Sequence, residues 1–109
     1  MSTAARRSRR RALLVSHHPA RELRTARRWA REGDDVTVAL LDAAVACARP
    51  GHVDGPALRA ARADGVRVLA HDAALARRGL RAPVTEVEVC DTETLAVLVA
   101  EEAEAVVWL

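Results

Sequence analysis

Residues that could act as nucleophiles or bases stand where predicted strands end in this chain. Cys90 closes the apolar stretch Glu86–Cys90, and His71 directly follows Val66–Ala70. A thiolate is a nucleophile when a nearby base or a helix N-terminus lowers its pKa. One interpretation therefore makes Cys90 a reactive thiolate with His71 as its base. The other makes Cys90 a small buried hydrophobic residue at a strand end and His71 a structural junction residue.

Further polar side chains follow the other predicted strands. If the strands are parallel, their carboxyl ends meet at one edge, where open α/β sheets bind ligands. The predicted ligand-binding edge comprises Ser16, His17, Asp42, His71 and Asp72, with Asp91 and Thr92 after Cys90. The same residue types are common helix caps, and Asp72 fits an N-cap. No cofactor or metal site is predicted, since His17 or His18 with His71 and Cys90 lacks the spacing of compact zinc motifs. Glycine-rich phosphate loops and nucleophile elbows are also absent from the sequence.

These residues must be positioned by alternating strands and helices. Strands are predicted at Arg11–Ser16, Asp35–Leu41, Val66–Ala70, Glu86–Cys90 and Ala105–Leu109. Helices are predicted at Arg21–Glu32, Ala57–Asp64, from Asp72 to a stop at Gly79, and after Asp91 or Thr92, with a short helix or turn at Asp42–Ala48. The pattern predicts an α/β fold, a three-layer α/β/α domain with a five-stranded parallel sheet. Cys90 and His71 can meet only if the third and fourth strands are neighbours.

Composition favours one small domain that associates with other chains. The 109 residues include two Trp but no Phe, Tyr or Lys, so the core must consist mainly of Ala, Val and Leu. Charge is uneven along the chain, with ten Arg and four acids in residues 1–40, but no Arg and seven acids in residues 85–109. This asymmetry suits self-association or an acidic partner, although the charges also fit solvated helix faces.

The basic N-terminus indicates where the folded domain begins, and the cysteines indicate the cellular compartment. Residues 1–10 are predicted to be a disordered basic tail, and residues 11–109 a single domain. No apolar run resembles a signal peptide or a membrane span, so no membrane partner is expected. Cys47 and Cys90 in such a chain indicate reduced thiols and a cytoplasmic location. Cys47 lies in an Ala-rich stretch that is typical of core packing.

Three stretches of the chain resemble the DsrE/DsrF/DsrH superfamily of sulfur-relay proteins, and its DsrH/TusB-like branch in particular. They are EGDDVTVALLDAAVACA (Glu32–Ala48), VRVLAHDAALARRGL (Val66–Leu80) and VEVCDTETLAVLVAEEAEAVVWL (Val87–Leu109). The resemblance implies a small α/β domain of the DsrE type. It also implies a place in sulfur delivery, either to the wobble uridine of tRNA (2-thiolation) or in sulfur oxidation.

Two departures from the family pattern shape the functional hypotheses. The sulfur-carrying relatives have a Cys eight residues before the helix-ending Gly, and His71 stands there in this chain. The family's Asp-Gly-Val at the end of the second strand is replaced by Asp42-Ala43-Ala44-Val45. TusB-type subunits also lack that Cys, and the resemblance implies that they act as partners within a hetero-oligomer.

Three functional hypotheses remain open from the sequence. The first is an accessory, non-catalytic subunit, and thus not an enzyme. It would form homo-oligomers, or hetero-oligomers with DsrE- and DsrF-like subunits and possibly a sulfur-carrier protein, with nucleic acid involved only indirectly. The second is a sulfur carrier that forms a persulfide on Cys90 with His71 as base. The third is a stand-alone DsrE-like protein that binds a small ligand, or a nucleic acid, through this edge of the sheet and the Arg-rich tail.

Overall fold

The computed structural model describes residues 8–103 and 105–108. The strands are β1 (Arg10–Val15), β2 (Asp35–Leu40), β3 (Arg67–His71), β4 (Glu88–Cys90) and β5 (Ala105–Trp108). The α-helices are α1 (Ala20–Arg31), α2 (Gly55–Ala63), α3 (Asp72–Arg77) and α4 (Thr92–Val97). A 3₁₀ helix spans Asp42–Ala48, and a π-helical segment, Leu98–Glu102, continues α4.

The strands form one parallel sheet in the order β4-β3-β2-β1-β5. The predicted α/β class with a parallel sheet is therefore confirmed. Strand β5 pairs with β1 over four residues, and β4 pairs with β3 over three. In the β3–β4 ladder His71 is paired with Cys90, so the assumed adjacency of these strands is also confirmed.

The sheet has two unequal sides. The side under α1, α2, α3 and the 3₁₀ helix, here called the α1 face, holds a cluster of 20 buried residues among those described. The side under α4 and the π-helical segment, here called the α4 face, holds a cluster of seven. Successive residues of a strand point to opposite sides, so Leu13 lies in the first cluster and Leu14 in the second. Helices thus cover both faces, and they cover the α1 face more completely.

The first strand begins within the predicted basic tail. β1 starts at Arg10, one residue before the predicted strand, and the Arg9 amide donates to Asp34 Oδ1 at 3.1 Å. The Asp35 amide donates to the Arg9 carbonyl at 2.8 Å, which extends the β1–β2 pairing toward the N-terminus. Residues 1–7 of the predicted tail lie outside the described residues.

Two helix starts differ from the predictions. Asp72 is not the N-cap of α3, because it is already the first helical residue. The N-cap position falls on His71, the last residue of β3, whose side chain makes no capping hydrogen bond. Helix α2 begins at Gly55, two residues earlier than predicted, because Pro56 fits the first turn of a helix and does not have to end the loop.

Two elements near the C-terminus also differ. β4 is shorter than predicted, because the Val87 amide donates to the Val84 carbonyl at 3.3 Å in a turn just before it. The apolar periodicity after Asp91 continues past α4 as the π-helical segment, which the sequence does not signal.

Helix α1 is fixed to the sheet by an arginine between an indole and a carboxylate. The guanidinium carbon of Arg11 lies 4.4 Å from the centroid of the Trp29 ring. Arg11 Nε is 3.0 Å from Asp34 Oδ2, and the Asp34 side chain is fully buried. Because the cation has both an aromatic face and a carboxylate as partners, it can be mostly withdrawn from solvent between β1 and α1.

Candidate functional site

A cleft of about 410 Å³ opens at the carboxyl edge of the sheet, between α4 and the chain that follows β2 and β3. Its apolar wall is formed by Leu14, Leu41, Leu95, Ala96 and Val99. Its polar lining consists of Asp42, His71, Arg77 and Thr92. An apolar wall with a few polar groups is the usual composition of a small-molecule site, and the volume falls within the usual range.

The first polar pair of the cleft joins β3 to α4. His71 Nε2 and Thr92 Oγ1 share a hydrogen bond of 2.8 Å, in which the donor depends on the tautomer of the imidazole. His71 comes into reach because it ends β3 beside Cys90, and Thr92 is the first residue of α4. The Asp91 carboxylate caps α4 by accepting from the Thr94 amide at 2.8 Å, which holds the start of this helix in place.

The electrostatics at the start of α4 favour an ionised carboxylate. Hydrogen bonds from Thr94 lower the pKa of Asp91 below its ordinary value, and the nearby His71 lowers it further. The α4 cap is therefore charged at neutral pH, next to the polar wall of the cleft.

The second polar pair joins the end of β2 to α3. Arg77 Nη2 lies 3.4 Å from Asp42 Oδ1, and both side chains are largely exposed. Asp42 has a positive φ of 44°, in the left-handed region that Asp tolerates better than most residues. This conformation turns the chain from β2 directly into the 3₁₀ helix. The turn contains no Gly, and Asp42 itself takes the left-handed conformation.

Cys90 does not match the reactive thiolate that the sequence suggested. Burial, together with the nearby carboxylates of Asp72 and Asp91, raises the pKa of its thiol to about 11. This direction is opposite to the lowering expected from His71 and the helix start, because desolvation and nearby negative charge favour the protonated thiol. The Cys90 side chain is buried with Leu69, Leu95 and Leu98, and the thiol is not among the groups that line the cleft.

Cys47 lies in the core of the α1 face, as its Ala-rich context predicted. Burial raises the pKa of its thiol to about 12, and the Asp54 carboxylate acts in the same direction. Both cysteines are free thiols. Neither is placed as an activated nucleophile.

The predicted ligand-binding edge is only partly assembled. Asp42 and His71 line the cleft, whereas Ser16, His17 and Asp72 are not among its lining residues. Asp72 instead stays near the strand end, with its Oδ1 3.7 Å from His71 Nε2 and 2.6 Å from the Ala73 amide that donates to it.

Sequence reasoning missed Arg77 and the apolar wall. Arg77 occurs in an arginine pair, Arg77-Arg78, near the end of α3, where cations are common for helix-dipole reasons alone. The spacing of Leu95 and Val99, four residues apart on one helix, signalled an apolar face but not that part of this face stays uncovered.

Metal and membrane features are absent from the part of the chain that the structure describes. No three His, Cys, Asp or Glu residues among those described lie close enough to hold a metal ion. None of the described helices is long and apolar enough to cross a membrane.

Comparisons with known proteins support the fold alone. No family model matches the chain, and no curated protein matches it. A solved structure, that of the protein of unknown function MTH1491 from Methanobacterium thermoautotrophicum, is similar with a TM-score of 0.76. The match covers 94% of this chain and 100% of that one at 13% sequence identity. The architecture is thus one that another protein also adopts.

Proposed function

We propose that this chain is a non-catalytic binding subunit, and that it holds a small ligand in the cleft at the carboxyl edge of its sheet. The observation that carries the proposal is the composition of this cleft. An apolar wall is joined to two polar pairs, and no thiol lines it. Such a site has the means to bind and orient a molecule but lacks an activated nucleophile.

The lining indicates what kind of ligand fits. Leu14, Leu41 and Leu95 form a surface for an apolar body, such as a ring. His71 with Thr92, and Asp42 with Arg77, offer donors and acceptors on the polar side. Because each polar pair is already hydrogen-bonded or ion-paired, the ligand must exchange hydrogen bonds with them. A ligand with a neutral head of hydroxyl or amide groups therefore fits better than a strongly charged one.

A binding subunit without an activated thiol also fits the role of an accessory subunit in a DsrE/Tus-like sulfur relay in the cytoplasm. The support is the resemblance of the three sequence stretches, the His71 side chain in place of the family's sulfur-carrying Cys, and the raised pKa of Cys90. In this proposal the domain has the five-stranded DsrE-type arrangement and assembles with DsrE- and DsrF-like subunits. Those partners would supply the sulfur-carrying cysteine, and tRNA would be reached only through them.

The cleft is tested by filling it. Ala96 lines the cleft and is exposed, whereas Ala100, on the next turn, is also exposed and does not line it. A fragment library is screened by NMR against the unaltered protein, and hits are repeated on Ala96→Phe and Ala100→Phe. We expect hits with an apolar body to lose binding about tenfold or more in Ala96→Phe and to keep it in Ala100→Phe. Equal binding to both variants, or no hit at all, would overturn the proposed ligand site.

The accessory role is tested by co-expression with DsrE- and DsrF-like proteins encoded near this gene. We expect a stable complex in size-exclusion chromatography with light scattering, and persulfide sulfur on the partners' cysteines after addition of a sulfur donor. A persulfide on Cys90 in intact-protein mass spectrometry contradicts the non-catalytic role. Failure of any such neighbour to bind removes the sulfur-relay assignment but leaves the ligand cleft standing.

A further inference from the structure

The two faces of the domain carry opposite charge in grooves of similar size. On the outer side of α1, a shallow groove of about 350 Å³ is lined by Arg24, Arg27, Arg28, Arg31 and Glu32. On the α4 side, a shallow groove of about 320 Å³ is lined by Asp91, Glu93, Thr94, Val97 and Glu102. We refer to these as the arginine groove and the acidic groove.

Both grooves retain charge that the described part of the chain does not neutralise. Arg27 and Arg31 form ion pairs with Asp64 at 2.7 and 3.1 Å. Arg24 and Arg28 have no ion-pair partner within the described residues and are exposed. In the acidic groove Glu93 is likewise exposed and without an ion-pair partner among the described residues, whereas Glu102 is attracted by Arg67 of β3.

The grooves cannot neutralise each other within one molecule. Helix α1 packs on the α1 face of the sheet, and α4 packs on the α4 face, so the sheet lies between them. A contact between the two grooves therefore requires two molecules.

We propose that the arginine groove of one copy of this chain docks on the acidic groove of a second copy. The argument is charge complementarity on opposite sides of one domain. A single head-to-tail contact satisfies both unneutralised grooves, whereas a nucleic acid on the arginines leaves the acidic groove unsatisfied. Val97 lies in the acidic groove with 37% of its surface exposed, and it gives the contact an apolar centre.

The geometry of such a contact has a direct consequence for assembly. Two different surfaces meet, so the interface is heterologous, and repeated use closes a ring or extends a filament. Because the charges are exposed, the attraction weakens as salt shortens the screening length from about 30 Å at about 0.01 M to about 3 Å at 1 M. The contact between the two grooves does not depend on the proposed ligand or on the sulfur-relay role.

Sedimentation velocity on the full chain tests the contact. We expect oligomers at about 20 mM NaCl whose association weakens about tenfold or more at about 500 mM. Two groove variants are compared, Arg24→Glu with Arg28→Glu, and Glu93→Arg with Glu102→Arg. Each alone has two grooves of like charge and should sediment as a monomer at low salt. The matched control, Arg49→Glu with Arg81→Glu, changes net charge as much as the first variant at exposed positions outside both grooves and should associate normally.

Mixing the two groove variants is the decisive measurement. The reversed arginine groove of the first then faces the reversed acidic groove of the second, so mixed oligomers should form although neither variant associates alone. Absence of mixed oligomers between variants that are folded by circular dichroism overturns the proposal. A monomeric unaltered protein at low salt does the same. If the arginine variant loses binding to a tRNA probe while self-association is unchanged, the arginine groove serves nucleic acid and the proposal is wrong.

Discussion

The two faces of the sheet differ in how completely helices cover them, and the candidate ligand site lies on the side with less cover. The α1 face is packed by three helices and the 3₁₀ helix, and its central side chains are fully buried. The α4 face is covered by one short helix and the π-helical segment, and the cleft opens at its edge. The α1 face thus provides most of the buried core, while the α4 face leaves apolar surface beside polar groups.

This difference shows why the two buried cysteines are not equivalent. Cys47 belongs to the α1 face, and Cys90 belongs to the α4 face, closer to solvent and to carboxylates. The contrast between the faces can therefore be tested first on these thiols.

The largest expected effect is on thiol reactivity. A pKa of about 12 for Cys47 and about 11 for Cys90 lowers their thiolate populations at neutral pH about 1,000-fold and about 100-fold relative to an ordinary pKa of 9.0. Iodoacetamide labelling with peptide mass spectrometry should therefore find Cys90 slow and Cys47 slower still, both below the rates in urea. Reactivity of Cys90 should rise with pH up to about 11. A plateau below pH 9 would restore the activated-thiol interpretation.

The same raised pKa values set the sign of an alkaline effect on folding. Above pH 9.0 the unfolded chain loses its thiol protons first, while the folded chain keeps them until about pH 11 at Cys90. Stability is therefore unaffected by these groups below pH 9 and falls as the pH rises through that window.

The next largest effect is expected from truncation on the α1 face. Leu58 is fully buried on α2, so Leu58→Ala should cost about 3 kcal/mol of unfolding free energy, or about 150-fold in the folding equilibrium. Urea unfolding followed by circular dichroism measures it. A loss below about 1 kcal/mol would mean that the α1 face is not the well-packed side.

Truncation on the α4 face should cost less. Leu95 is 8% exposed and borders the cleft, so Leu95→Ala should cost about 2 kcal/mol, roughly thirtyfold in the folding equilibrium. The same urea experiment, run side by side with Leu58→Ala, measures the ratio. If both variants lose equal stability, the two faces do not differ as described.

The smallest effect is expected from the polar pair of the cleft. Thr92→Val removes the hydrogen bond to His71 and should weaken folding only a few-fold, about 0.5–1 kcal/mol, because the bond is solvent-accessible. The imidazole NMR signals of His71 should shift, while Thr25→Val, which removes a hydroxyl that donates to the Arg21 carbonyl on α1, should leave them unchanged. Unshifted signals in Thr92→Val would show that His71 is held by other contacts.

The sequence predicted the alternation of elements because apolar strands, a Gly after each of the first three α-helices and the Asp91 cap are local signals. The sequence also predicted that Asp42 and His71 lie at the same edge of the sheet, since both follow predicted parallel strands, and both line the cleft. Arg77 was missed because its approach to Asp42 depends on the left-handed turn at Asp42, which no local pattern announces. The raised pKa of Cys90 could not be predicted from the sequence, because desolvation depends on Leu69, Leu95 and Leu98, which meet only in the folded chain.

The contact between Arg11 and Trp29 provides an intrinsic fluorescence probe of how α1 packs on the sheet. Trp29 and Trp108 are the only tryptophans, and no tyrosine contributes to the emission. In a Trp108→Phe variant, fluorescence therefore comes from Trp29 alone, whose ring faces the Arg11 cation that β1 carries. The Arg11 cation moves away from the Trp29 ring when α1 separates from the sheet. The fluorescence of Trp29 therefore reports the undocking of this one helix. This allows local opening to be followed separately from global unfolding without an added dye.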